Sequence, residues 1–232
     1  MLIVQHADDD PPGRLGRWLR EPGCRHQVVR CHLGERLPSS LTGFGALVVL
    51  GGGIGAYDDA SHAWLAPAKA LLSEAIERDV PTLGVCLGHQ LLAVAGGGRV
   101  QPADRPQNGV TAVHLTAAGS TDALFHAVPN PTTALHWNND LVVAVPPGAA
   151  VLASSPGGVQ AMRLGLRVWG VQFHPEVDVE TVRGWARHDV QTGALSRSVA
   201  ESRLAELQAA DRDQVRVWRP FVHRFAQQAL LG

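Results

Sequence analysis

Thr82-Leu83-Gly84-Val85-Cys86-Leu87-Gly88-His89-Gln90 decides how this chain reads. Pro81–Val85 is apolar and has the length of a buried strand, and Gly88–Ala95 follows with a helical pattern that stops at Gly96-Gly97-Gly98. Cys86 stands between the two, with a glycine two residues before it and another two residues after. A strand that turns sharply into a helix crowds its side chains, and glycine relieves the crowding. Such a turn lifts the cysteine above the sheet edge, the geometry of a nucleophile elbow with Cys in place of Ser. The positive end of the helix dipole favours a thiolate there. Taken alone, a single free cysteine reads as a small buried hydrophobe. The two glycines bring the reactive reading level with that one.

Outward from this stretch, Leu2–Gln5, Gln27–Val29 and Ala46–Leu50 are further short strand candidates. Within His62–Asp79, Trp64, Leu65, Ala68, Leu71, Leu72, Ala75 and Ile76 recur at steps of three and four, which predicts a helix. Strands alternating with helices imply a parallel sheet covered on both faces. The second half differs. Val110–Leu115, Thr133–His136, Ala150–Ser154, Gln160–Arg163 and Val168–Phe173 are short strand candidates separated by Pro, Gly and Asn turns. After Val177 the pattern is helical to the end, where Trp218, Phe221, Val222, Phe225 and Ala229 form one apolar stripe. Pro220 is expected to start or kink that last helix. The expected organisation is an α/β domain over residues 1–190, built on an open, mostly parallel twisted sheet with helices on both faces. A helical C-terminal extension, 191–232, is expected to pack on the same domain.

Composition excludes several classes. The 232 residues are 45% hydrophobic and 18% charged, with 20 basic and 21 acidic side chains and a net charge of −1. That balance gives no electrostatic footprint for nucleic acid or an anionic membrane. No apolar run approaches the roughly 20 residues of a spanning helix. MLIVQHADDD has no basic start and is not read as a signal peptide. Three cysteines, Cys24, Cys31 and Cys86, cannot pair completely, so a reducing cytoplasm is expected rather than a disulfide scaffold.

A thiolate needs a proton-transfer partner. Val171-Gln172-Phe173-His174-Pro175-Glu176 supplies a candidate, because the strand ends at His174 and so sets its side chain at the sheet's rim. Glu176, two residues on, points the same way in extended backbone and can fix the imidazole's tautomer. Pro175 pushes His174 into an extended conformation. Alone, a histidine at a turn is more often structural; this one gains its value from Cys86. A third element is the glycine-rich loop Leu50–Asp59. One of its backbone N–H groups, with that of Leu87, can form an oxyanion hole. A plain flexible loop is the other reading. A phosphate loop is excluded, since no Gly-Lys-Ser/Thr follows.

Together, G-x-C-x-G-x-Q on a strand–helix turn, F-H-P-E at a later strand end and the upstream glycine loop resemble the class I (triad-type) glutamine amidotransferases. The chain is most similar to the stand-alone bacterial subgroup likened to the glutaminase domain of GMP synthase. The resemblance spans about Ala46 to Val177. It implies a flavodoxin-like fold, with Cys86 as nucleophile, His174 as acid/base and Glu176 as its orienting partner. It also implies that the amides of Gly52 and Leu87 hold the oxyanion and that Gln90 helps hold the substrate. The implied substrate is L-glutamine, and neither cofactor nor metal is expected. With no P-loop in the chain, any acceptor chemistry would belong to a synthetase partner.

Other residues read less sharply. By resemblance, His136 and Asp140 in His136-Trp137-Asn138-Asn139-Asp140 lie near the substrate's α-amino and carboxylate groups; a polar turn between strands is the alternative. Relatives often carry H-W-H-G-D there, and Glu-x-Gly where this chain has Gln107-Asn108-Gly109. His89 reads as a helix-face residue rather than a zinc ligand, and Cys24, Cys31 and His32 as ordinary side chains. Asp10, before Pro11 and Pro12, is expected to cap a helix, with a place at the pocket rim as the other reading. Three further functions stay open: a γ-glutamyl peptide hydrolase using the same triad, a non-catalytic binding module, and a related cysteine hydrolase or chaperone-like relative. The F-H-P-E ending disfavours the last.

Overall fold

Leu2–Gln5 forms the first strand, β1, and every residue in it is buried. The structure, a computed structural model, describes residues 1–231. Chain order continues through helix α1 (Gly13–Arg20), strands β2 (Gln27–Arg30) and β3 (Leu47–Val49), helix α2 (Leu65–Arg78), strand β4 (Thr82–Val85) and helix α3 (Leu87–Ala95). Next come strand β5 (Arg99–Leu115), the short helix α4 (Ala117–Ser120), and strands β6 (Thr132–Ala144), β7 (Ala150–Ser155), β8 (Gly158–Leu164) and β9 (Val168–Val171). Helices α5 (Val179–Thr192) and α6 (Arg197–Leu230) follow.

Among the described residues the strands make one nine-stranded mixed sheet, ordered β2-β1-β3-β4-β9-β8-β7-β5-β6. The first five run parallel. The last four extend the sheet by antiparallel pairs. β1, β3, β4 and β9 are buried throughout, as apolar runs in a sheet covered on both faces should be. Side chains alternate between the faces. On one face Ile3, Val48, Leu83 and Trp169 pack with Leu15 and Trp18 of α1 and Trp218, Phe221 and Phe225 of α6. On the other, Leu2, Val4, Leu47 and Val49 pack with Leu71 and Leu72 of α2 and Leu91 and Leu92 of α3.

The antiparallel part departs from expectation. β5 and β6 are 17 and 13 residues long, not the short pieces Val110–Leu115 and Thr133–His136. They pair as a ribbon whose outer part is largely exposed, so no apolar alternation marks it. Its register shifts between Pro102 and Gln107, where proline cannot donate to the ladder. In consequence His136–Asp140 lie within a strand, not in a turn.

The C-terminal helix rules out one of the two readings of Pro220. α6 runs 34 residues with Pro220 inside it, so the proline does not start the helix. Burial of Trp218, Phe221, Val222 and Phe225 outweighs the hydrogen bond that Pro220 removes. The rings of Trp218 and Phe173 lie 4.4 Å apart, and those of Phe225 and Trp169 6.4 Å apart, so these side chains of α6 belong to the main core.

Candidate active site

β4 ends at Val85, α3 begins at Leu87, and Cys86 makes the turn alone. Its backbone sits at φ 49° and ψ −104°, a conformation that costs about 1–3 kcal/mol for a residue with a side chain. The neighbouring glycines are required by space. A Cβ on Gly84 would meet the Gly88 carbonyl oxygen at 2.5 Å, and one on Gly88 would meet the Val49 oxygen at 2.0 Å. Two backbone bonds pin the turn: Cys86 N–H to Val171 O at 2.8 Å and Gly88 N–H to Leu50 O at 3.1 Å.

β9 delivers the second group. Past Val171 the chain reaches His174, whose N–H donates to Leu135 O of β6 at 2.9 Å. The imidazole Nδ1 is 2.6 Å from Glu176 Oε1, and both residues are buried. Glu176 is clamped from outside by the start of α1. Arg14 N–H donates to its carbonyl at 2.7 Å, and a Cβ on Gly13 (φ +47°) would stand 2.4 Å from that oxygen. Nε2 of His174 has no partner among the described residues. Burial pulls the His174 pKa down, but the neighbouring Glu176 and Cys86 outweigh it and hold the pKa well above the usual value. Trp185 of α5 covers the imidazole, with ring centres 4.8 Å apart.

Cys86 and His174 line one cavity of about 710 Å³. Gln90, Asp140 and Gly52 line it too. Gln90 Nε2 donates to Asp140 O at 3.0 Å and to Gln172 Oε1 at 3.3 Å, and Gln172 Nε2 reaches Cys86 Sγ at 3.6 Å. This chain of amides ties α3 to the ribbon and to the sulfur. The glycine loop after β3 lies against the elbow, since a Cβ on Gly52 would be 3.1 Å from Leu87 Cδ2 and 3.0 Å from His6 Cβ. Leu87, at the first position of α3, has an N–H with no acceptor inside the helix.

His136 is a correction. It does not line the cavity; it is fully buried, with Nδ1 2.8 Å from Thr111 Oγ1 and Nε2 2.6 Å from Gln160 Oε1. Burial lowers its pKa to about 4. Asp140 has its pKa raised, by burial first and then by Asp58. Asp10 is a second correction: Pro12 occupies the cap position of α1, with no side-chain cap, and Asp10 lines the cavity instead. Burial raises the pKa of Asp10 to about 7. Cys24 and Cys31 are buried away from this cavity, and burial pushes the Cys31 thiol up to about 11. His89 is wholly buried behind the elbow, where burial lowers its pKa to about 3. Sequence reasoning missed Gln172 and Trp185. A lone amide in an apolar strand end signalled the first; nothing in the helical pattern signalled the second.

Among the described residues no group of three or more His, Cys, Asp and Glu side chains is placed to hold a metal ion. No helix is long and apolar enough to cross a membrane.

Residues 14–184 match the family model described as glutamine amidotransferase class-I. The chain is 31% identical over 231 residues to the glutamine amidotransferase-like protein YfeJ of Salmonella typhimurium, covering 94% of this chain and 93% of that one. It is 33% identical over 179 residues to the glutamine-hydrolyzing GMP synthase of Porphyromonas gingivalis, covering 76% of this chain but only 33% of that one. Among solved structures, a glutamine amidotransferase from Methylobacillus flagellatus superposes with a TM-score of 0.87 at 25% identity, over 98% of this chain and 94% of that one.

Proposed function

We propose, for a chain that belongs to the class-I glutamine amidotransferases, that Cys86 is the nucleophile of a glutamine-hydrolysing site. One observation carries the reading: Cys86 and His174 line the same cavity, and the imidazole's other nitrogen is already tied to Glu176. The Cys86 thiolate attacks the side-chain amide carbon of L-glutamine. The N–H groups of Gly52 and Leu87 hold the resulting oxyanion. His174, kept protonated by Glu176, gives its Nε2 proton to the leaving nitrogen, and ammonia departs. Neutral His174 then takes a proton from water, which opens the thioester to glutamate. Gln90 and Asp140 hold the substrate's amino-acid end.

The ammonia has an acceptor elsewhere. In the Porphyromonas gingivalis relative, named for both glutamine hydrolysis and GMP synthesis, the matching stretch is a third of a longer chain. A separate synthetase partner would supply here what the rest of that chain supplies there. A reducing cytoplasm keeps the nucleophile unoxidised. A second reading, hydrolysis of larger γ-glutamyl amides by the same three residues, is favoured by a cavity of about 710 Å³.

A glutamine-like affinity label should add its mass at Cys86, and Cys86→Ser should lower ammonia release by about 10⁴-fold or more. Labelling at Cys24 or Cys31 instead would end the assignment.

A further inference from the structure

The cavity is larger and more acidic than glutamine requires. Its volume of about 710 Å³ falls in the range that holds a drug-sized ligand. Five aspartates line it, Asp9, Asp10, Asp58, Asp140 and Asp189, and among the described residues no lysine or arginine does. Glutamine carries one ammonium, which a single carboxylate answers. Two of the five are already engaged. Asp58 accepts from Gly55 N–H at 2.7 Å, and Asp189 accepts from the Trp137 indole N–H at 2.9 Å. Asp10 is not. It is only 8% exposed, and no described residue donates a hydrogen bond to its carboxyl. A carboxyl that is largely withdrawn from water yet opens only into the cavity, with no donor of its own, favours a cationic ligand there.

Position decides which part of a ligand Asp10 meets. A Cβ on Gly51 would stand 3.1 Å from His174 Cε1 and 3.4 Å from Asp10 Oδ1, so imidazole and carboxyl flank the same backbone atom. His174 hands its proton to the departing nitrogen. A carboxyl beside that proton donor therefore stands on the leaving-group side of the scissile bond.

We propose that this site also hydrolyses γ-glutamyl amides whose amine portion carries a second, positively charged amino group, which Asp10 receives. This inference rests on the Cys86–His174–Glu176 reading above. The bonds balance without a further reagent. A C–S bond forms as the C–N bond breaks, and the amine leaves with the His174 proton. Water then supplies hydroxyl to the acyl carbon and returns a proton to the imidazole, freeing glutamate and the diamine.

The test compares glutamine with the γ-glutamyl n-pentylamide, the γ-glutamyl monoamide of a four-carbon diamine and the γ-glutamyl amide of a four-carbon ω-amino acid. The diamine amide should exceed its neutral isostere by about tenfold in kcat/KM, and the carboxylate amide should fall below both. Asp10→Asn should erase that ratio, and Asp10→Glu, which keeps the charge, should retain most of it. Equal values, or a ratio that survives in Asp10→Asn, would overturn the proposal. Calorimetry of the same amides on Cys86→Ala reads the order of affinities without turnover. The expected order there, with no hydrolysis by the unaltered protein, supports the cation site and overturns the thioester reading. Glutamine hydrolysis with no cation preference in either assay overturns the cation site alone.

Discussion

The parallel half of the sheet and the antiparallel ribbon meet at one cavity, and they build their walls by different physics. β4 and β9 are buried side by side, so their ends are rigid and their register fixes where Cys86 and His174 emerge. The ribbon β5–β6 is held mainly by its own backbone ladder, and its outer part faces solvent. It brings Asn138, Asn139 and Asp140 to the cavity as polar lining. The contrast teaches that Cys86 and His174 sit on the stiff side and much of the cavity's polar lining on the softer side. The two are joined at several points, among them His174 N–H to Leu135 O and Gln90 to Asp140 O.

The largest effect that sharpens this contrast belongs to Glu176→Gln. It should lower kcat by about 10³-fold or more, because the imidazole loses the group that fixes its tautomer and holds its proton. The alkaline limb of the kcat/KM profile should move to lower pH in the same variant, since Glu176 is what raises the His174 pKa against burial. A limb that stays in place would separate Glu176 from the chemistry.

Next comes Gly88→Ala. With a Cβ 2.0 Å from the Val49 oxygen, the elbow or β3 must shift, costing about 3 kcal/mol or more. Denaturant unfolding measures this, and an unchanged midpoint would show that the parallel edge yields to the added methyl.

Acid should act on both regions. His6, His89 and His136 have pKa values lowered to about 4, 3 and 4 by burial, His6 also by His32. Their folded-state pKa values lie below the unfolded value, so the stability they contribute is present above about pH 6.5 and is lost as pH falls toward 4. Asp10, raised to about 7, works the other way and offsets one proton. Net uptake of about two protons on unfolding predicts a loss of about 2–3 kcal/mol per pH unit between pH 6 and 4. Urea titrations across that range read the slope, and a flat profile would contradict it.

The smallest expected effect is His136→Leu in the ribbon. It strands Gln160 and Thr111 and should cost about 2 kcal/mol of stability. Because His136 does not face the cavity, kcat/KM should change by less than about threefold. A large kinetic loss would make the ribbon part of the reacting site and dissolve the contrast.

Much of the parallel half was legible from residues alone. Glycines around Cys86, apolar runs of strand length and the period of α2 are local signals, and each names its own conformation. The chain's own pattern also placed His174 and Glu176 at a strand end. The ribbon was not legible, because an exposed two-stranded ladder is stabilised by backbone bonds that carry no side-chain period. For Pro220 the local penalty left start and kink both open, and the aromatic burial that carries α6 through the proline is not a local signal.

Sequence by itself therefore determined the α/β class, the elbow and the residue types available for chemistry, since turns and periodicities are set by neighbours in the chain. Only the tertiary structure decided that Asp10 and Trp185 face the cavity while His136 turns from it. Those are questions of which surfaces meet, and they are answered by packing between segments more than a hundred residues apart, as when the Trp185 indole N–H reaches Asp9 O at 2.9 Å.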